Sequence, residues 1–193
     1  PFYSEATQIV LEPYGKEFTK DFKRKIMGGD ALTGASMIVE KFDLKMTPRE
    51  FLEKREKHLR ALFPSATEIK GAGEYLHRLK VARTRIALAT SSSKTLCEIK
   101  IGHRAWSNIF ECKIYGDDPE LLRSKPAPDI FILCAQRMAV SPENIIVFED
   151  SKNGILAAKG AGMKVVGIRN EFMSEADLED ADFLVDNYYD IEL

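Results

Sequence analysis

Residues 145–154 read Ile-Ile-Val-Phe-Glu-Asp-Ser-Lys-Asn-Gly, and no other stretch narrows the possible fold so far. Its apolar start, β-branched and aromatic, has the character of a short strand buried on both faces. Two carboxylates, Glu149 and Asp150, follow at once. Ser151 then opens a helical pattern through Ile155, Leu156, Ala157 and Ala158, as an N-cap does. In an open α/β sheet, ligands bind beyond the carboxyl ends of the strands, where this acidic pair would stand. Adjacent like charges are costly without a positive charge between them. A bound cation is therefore one reading, and hard oxygen ligands suit Mg2+. The other is an acidic turn in which Asp150 only favours the helix dipole.

The pattern around this stretch repeats strand, loop and helix. Arg85–Thr90, Cys112–Tyr115, Ile145–Phe148, Lys164–Ile168 and Phe183–Val185 read as strands, and 74–80, 93–102, 128–138 and 151–161 as helices. Such alternation implies an α/β fold with a doubly wound parallel sheet. Residues 1 to about 63 contain no strand pattern. Helical spacing runs through Phe2, Ala6, Ile9 and Val10, then Phe18, Phe22 and Ile26, and stops at Met27-Gly28-Gly29. Asp30 caps the next helix, and Thr47-Pro48-Arg49-Glu50 has the form of a capping box with Pro at N1. We therefore expect a small all-helical domain over 1–65 and an α/β core over 66–193, joined near Phe63-Pro64-Ser65-Ala66.

Bulk properties exclude several classes. With 30% charged and 45% hydrophobic residues, the composition is that of an ordinary globular protein. A formal charge of −2 argues against a nucleic acid polymer as partner. No apolar run approaches the ~20 residues of a membrane helix, so no membrane partner is expected. Cys97, Cys112 and Cys134 are far apart and form no CxxC, which points to buried thiols in a reducing, cytoplasmic compartment. His58, His77 and His103 are scattered and read as helix-surface residues. A monomer is expected.

Three further segments bear on chemistry. In Ala87-Leu88-Ala89-Thr90-Ser91-Ser92-Ser93-Lys94 a strand runs into hydroxyl residues at a helix start, which suits an anion such as phosphate or simply caps the helix. In Ser124-Lys125-Pro126-Ala127-Pro128-Asp129 two prolines hold Lys125 on a stiff loop, where an ammonium could neutralise a phosphoryl oxygen. Gly116-Asp117-Asp118-Pro119 reads as a turn and helix start. An anion cradle, a lysine and a carboxylate pair, each at a strand end, are the parts phosphoryl transfer needs.

Carried by these residues, the sequence resembles the haloacid dehalogenase superfamily in its helical-cap branch. Thr90 fits the second motif, Lys125 in Ser-Lys-Pro-Ala-Pro-Asp-Ile-Phe the third, and Glu149-Asp150 with Ser151 and Gly154 the fourth. Within the branch, Ala-Leu-Ala-Thr-Ser-Ser, Gly-Asp-Asp-Pro-Glu and Val-Phe-Glu-Asp-Ser-Lys-Asn-Gly look most like the pseudouridine-5′-phosphatase (GS1-like) group. The resemblance implies Mg2+-dependent hydrolysis of a small phosphomonoester, nucleotide-like or a sugar phosphate, through an aspartyl-phosphate. Thr90 and Ser91 would hold the phosphoryl group, Lys125 would clamp it, and Asp150 helped by Glu149 would hold the metal. Asp30 in the cap would bear on substrate choice. A β-phosphoglucomutase-like phosphomutase and a catalytically silent binding protein are the alternatives. The family's first motif, Asp-x-Asp-x-Thr, which supplies the nucleophile, does not occur in these 193 residues. The resemblance places it before Pro1, on a first core strand and turn of roughly 15–25 residues.

Overall fold

A computed structural model describes residues 2–26 and 31–192. Four helices come first: α1 (Phe2–Leu11), α2 (Lys20–Ile26), α3 (Ala31–Lys41) and α4 (Pro48–Leu62). The start of α4 is locally encoded. Thr47 Oγ1 accepts from the Glu50 N–H at 3.2 Å while Glu50 Oε2 accepts from the Thr47 N–H at 2.6 Å, which satisfies two amides that a helix start leaves bare. Val10 and Leu11 of α1, Ala35 and Ile38 of α3, Leu44 of the connection between α3 and α4, and Phe51 of α4 are buried against one another. A second cluster, Ala6, Leu59, Phe63 and Leu96, joins α1 and α4 to a helix of the α/β part. The helical part is thus anchored by apolar burial as well as by the chain.

The α/β part runs α5 (Ala72–Val81), β1 (Ala87–Ala89), α6 (Lys94–Ile101), β2 (Cys112–Ile114), α7 (Asp129–Met138) and β3 (Ile146–Glu149). It continues through α8 (Lys152–Gly160), β4 (Lys164–Ile168), α9 (Glu175–Leu178) and β5 (Phe183–Val185). All pairings are parallel, as the alternation predicts. They fall into two ladders: β1 pairs with β2, and β3, β4 and β5 form a second sheet in that order. Among the described residues no ladder joins β1 to β3. The expected single sheet is therefore present as two parallel pieces. Ile114, Ile130, Ile155, Val165 and the Ala157–Ala158 pair form the core between the strands and α7 and α8.

β4 and β5 have the limits the sequence indicates, whereas β1 and β2 are shorter because their flanks turn into loops. α9 is a single turn that hydrophobic periodicity does not reveal. The Cys97 and Cys134 thiols are buried, and burial pushes Cys134 up to about 12. His58 and His77 lie on helices, but His103 is in the turn after α6. Met27, Gly28, Gly29 and Asp30 lie outside the described residues. Among those described, no helix is long and apolar enough to cross a membrane.

Phe51 has no exposed surface and sits at the centre of the helical cluster. Phe51→Ala is expected to lower unfolding free energy by about 3–5 kcal/mol, read from urea denaturation. A loss below about 1 kcal/mol would show that the cluster closes over the void.

Candidate active site

The carboxyl ends of β1 and β3 carry the residues singled out from the sequence. After β1 the chain turns sharply. The Thr90 N–H donates to the Ile114 carbonyl at 3.0 Å, extending the ladder by one bond, and Thr90 Oγ1 accepts from the Ser92 N–H at 3.1 Å. Ser93 Oγ then caps α6 by accepting from Leu96. Gly116, after β2, packs directly on this turn: its N–H donates to the Ser92 carbonyl at 2.9 Å, and a Cβ there would overlap the Ser91 carbonyl. Asp117 and Asp118 are structural. Asp117 Oδ1 accepts from the Lys94 N–H at 2.8 Å, and Asp118 takes the Arg137 guanidinium at 2.7 and 2.8 Å. That pair holds the Asp118 carboxyl below its usual range.

Lys125 reaches across from the loop before α7, where its bond to Pro126 is cis. Its ammonium donates to Glu149 Oε1 and to the Ala89 carbonyl at 3.4 Å, and lies 4.7 Å from the centre of the Phe131 ring. Lys125 and Glu149 are both buried. One side chain therefore binds the residue before Thr90 and the residue before Asp150. The other Glu149 oxygen, Oε2, accepts from Ser151 Oγ at 3.0 Å, and the same Oγ accepts from the Gly154 N–H at 3.1 Å. Ser151 is thus the expected N-cap and also a support for Glu149. Gly154 is required by space, since a Cβ would fall on the Glu149 carboxylate.

The two acidic residues do not share an environment. Glu149 is the last residue of β3 and Asp150 stands just beyond it. Glu149 is buried on Lys125 while Asp150 is exposed. The charge balance that suggested a metal is met at Glu149 by a lysine. Among the described residues no cluster of three or more His, Cys, Asp or Glu side chains is placed to hold a metal. That leaves Asp150 as the exposed carboxylate at the strand end, and Mg2+ can be held through one carboxylate with water and phosphate oxygen completing its shell.

Sequence reading missed Asn170. Its Nδ2 donates to the Asp150 carbonyl at 2.9 Å, tying the loop after β4 to the acidic turn. It also missed Tyr3, whose hydroxyl pairs with Ser92 Oγ at 2.9 Å. Neither has a local signal. The chain's single Asp-x-Asp triplet, Asp180-Ala181-Asp182, stands at the opposite end of β5. Asp182 there accepts from the Val165 N–H at 2.7 Å and from Lys159 Nζ at 2.8 Å, which fits a support for β4.

Residues 1–168 match the profile of the haloacid dehalogenase-like hydrolase family. The chain belongs to this family. It is 36% identical over 177 residues to a Drosophila melanogaster protein named probable pseudouridine-5′-phosphatase, covering 90% of this chain and 77% of that one. It is 32% identical over 197 residues to (DL)-glycerol-3-phosphatase 2 of Arabidopsis thaliana, covering 99% of this chain and 82% of that one. The β-phosphoglucomutase of Clostridium difficile shares the fold, with a TM-score of 0.84 at 21% identity over all of this chain and 86% of that one.

Removing one member of the buried pair leaves the other charge without a counter-ion. Lys125→Met is expected to cost about 3–5 kcal/mol in urea unfolding, and adding Glu149→Gln is expected to recover part of that loss. A single variant as stable as the parent would show that water reaches Glu149. Gly154→Ala is expected to cost about 1–3 kcal/mol.

Proposed function

We propose that the protein is a Mg2+-dependent phosphatase that hydrolyses a small phosphomonoester, nucleotide-like or a sugar phosphate such as pseudouridine 5′-phosphate, through an aspartyl-phosphate. The observation that carries this reading is the Lys125 ammonium held between the ends of β1 and β3, against the neighbours of both Thr90 and Asp150. The names of the two phosphatase relatives support the same reaction class.

In this reading the Thr90 hydroxyl and the Ser91 N–H donate to the phosphoryl oxygens at the turn after β1. Lys125 supplies fixed positive charge beside them, so charge building on the phosphoryl group meets a dipole and an ammonium already in place. Asp150, with Glu149 behind it, holds Mg2+, which supplies charge neutralisation when bound. The phosphoryl group passes to an aspartate carboxylate as the substrate alcohol leaves with a proton. Water then cleaves the acyl phosphate, releasing inorganic phosphate and restoring the carboxylate. No Asp-x-Asp-x-Thr occurs in the 193 residues, so no aspartate of this sequence is assigned as that nucleophile. Residues 1–65 act as a cap over the core 66–193, with Asp30 bearing on substrate choice.

The test is phosphate release from a panel of monophosphates by the full-length protein. Turnover with Mg2+, its loss on adding EDTA, and a fall of about a hundredfold or more in kcat for Lys125→Ala are expected. No release from any monophosphate with Mg2+ would overturn the reading. Asp30→Ala is expected to change the ratio of rates on pseudouridine 5′-phosphate and glycerol 3-phosphate, and an unchanged ratio removes Asp30 from the assignment.

A further inference from the structure

Helix α2 is basic, with Lys20, Lys23, Arg24 and Lys25 in its 7 residues. It meets the α/β part at the loop after β4. The Lys23 ammonium lies 3.1 Å from the centre of the Phe172 ring, and Lys20 pairs with Glu171 at 3.7 Å. The Lys20–Glu171 pair is exposed on both sides, so screening by water leaves it little weight. The Lys23 contact is half-buried, and a cation over an aromatic face gains as water is excluded. Phe172 is in turn fixed to the acidic turn. Its N–H donates to Asn170 Oδ1 at 3.0 Å, and Asn170 Nδ2 donates to the Asp150 carbonyl at 2.9 Å and leans on the Ile168 carbonyl at 3.5 Å. The amide can stand only one way round, because a flip would set N–H against N–H and oxygen against oxygen.

The contacts form one chain from α2 through Phe172 and Asn170 to Asp150. We propose that Asn170 is a positioning residue that couples the seating of α2 on Phe172 to the conformation of the Asp150 turn. An α2 lifted from its seat would free the Phe172 segment, loosen the Asn170 bridge and leave the Asp150 carboxylate less well placed. Ligand affinity at that carboxylate would then depend on whether α2 is seated on Phe172. The inference rests on the assignment of Asp150 to Mg2+ given above, and the coupling itself is testable without metal.

The experiment uses the full chain with Phe172→Ala, Asn170→Ala and the double variant, none of which changes a charge. Without metal, amide hydrogen exchange is followed in α2, in residues 150–154 and in β4 as an internal control. Phe172→Ala is expected to speed exchange in α2 and in 150–154 while β4 keeps its protection. Calorimetric titration with Mg2+ is expected to show affinity falling about tenfold in Asn170→Ala, with the double variant no weaker than Asn170→Ala alone. Faster exchange in α2 with 150–154 unchanged would overturn the coupling, and so would unchanged exchange in both. A parent protein that binds no Mg2+ would refute the metal assignment only, since the exchange result still decides the coupling. Additive losses in the double variant would show two independent supports and would also overturn it.

Discussion

The buried ion pair between Lys125 and Glu149 is the contact on which the arrangement of the strand ends depends. Each charge has been taken out of water, and neither could stay buried without the other. A buried pair adds little net stability, because desolvation offsets most of the attraction. Its effect is on geometry. The Lys125 loop, the end of β3 and, through the Ala89 carbonyl, the end of β1 are held in one relation by a single ammonium. Two parallel ladders that share no backbone hydrogen bond among the described residues are thereby brought to one place.

Space imposes a second constraint on the same region. α8 comes so close to Glu149 that position 154 admits no side chain, and the loop after β2 comes equally close to the Thr90 turn at Gly116. Backbone packed this tightly leaves carboxylate and hydroxyl with few alternative rotamers. The helical part adds its own contact from the other side. Tyr3 of α1 touches Ser92, and α2 touches the loop that carries Asn170. The strand-end residues are therefore framed by both parts of the molecule.

Much of the fold was legible because it is written in local chemistry. The Thr47–Glu50 box, the Ser93 and Ser151 caps and the apolar run of β4 need only neighbours in sequence, and each stands where the sequence indicates. Periodicity had less to say about α9, a single turn, or about how far β1 extends beyond Ala89. Chemically similar triplets are also not equivalent. Asp180-Ala181-Asp182 has the spacing of a catalytic pair, yet lies at the wrong end of β5 and braces β4. Adjacent carboxylates suggested a shared cation, but packing buried Glu149 on a lysine and left Asp150 exposed.

By itself the sequence determined the class of fold, the order of elements and the set of polar residues at strand ends, because hydrophobic period, caps and turns act over a few residues. Tertiary structure alone decided the partnerships: Lys125 with Glu149, Asn170 with Asp150, Lys23 with Phe172. Those contacts join residues roughly 20 to 150 positions apart. For the buried Lys125–Glu149 pair the strength comes from exclusion of water, which exists only once the chain has packed.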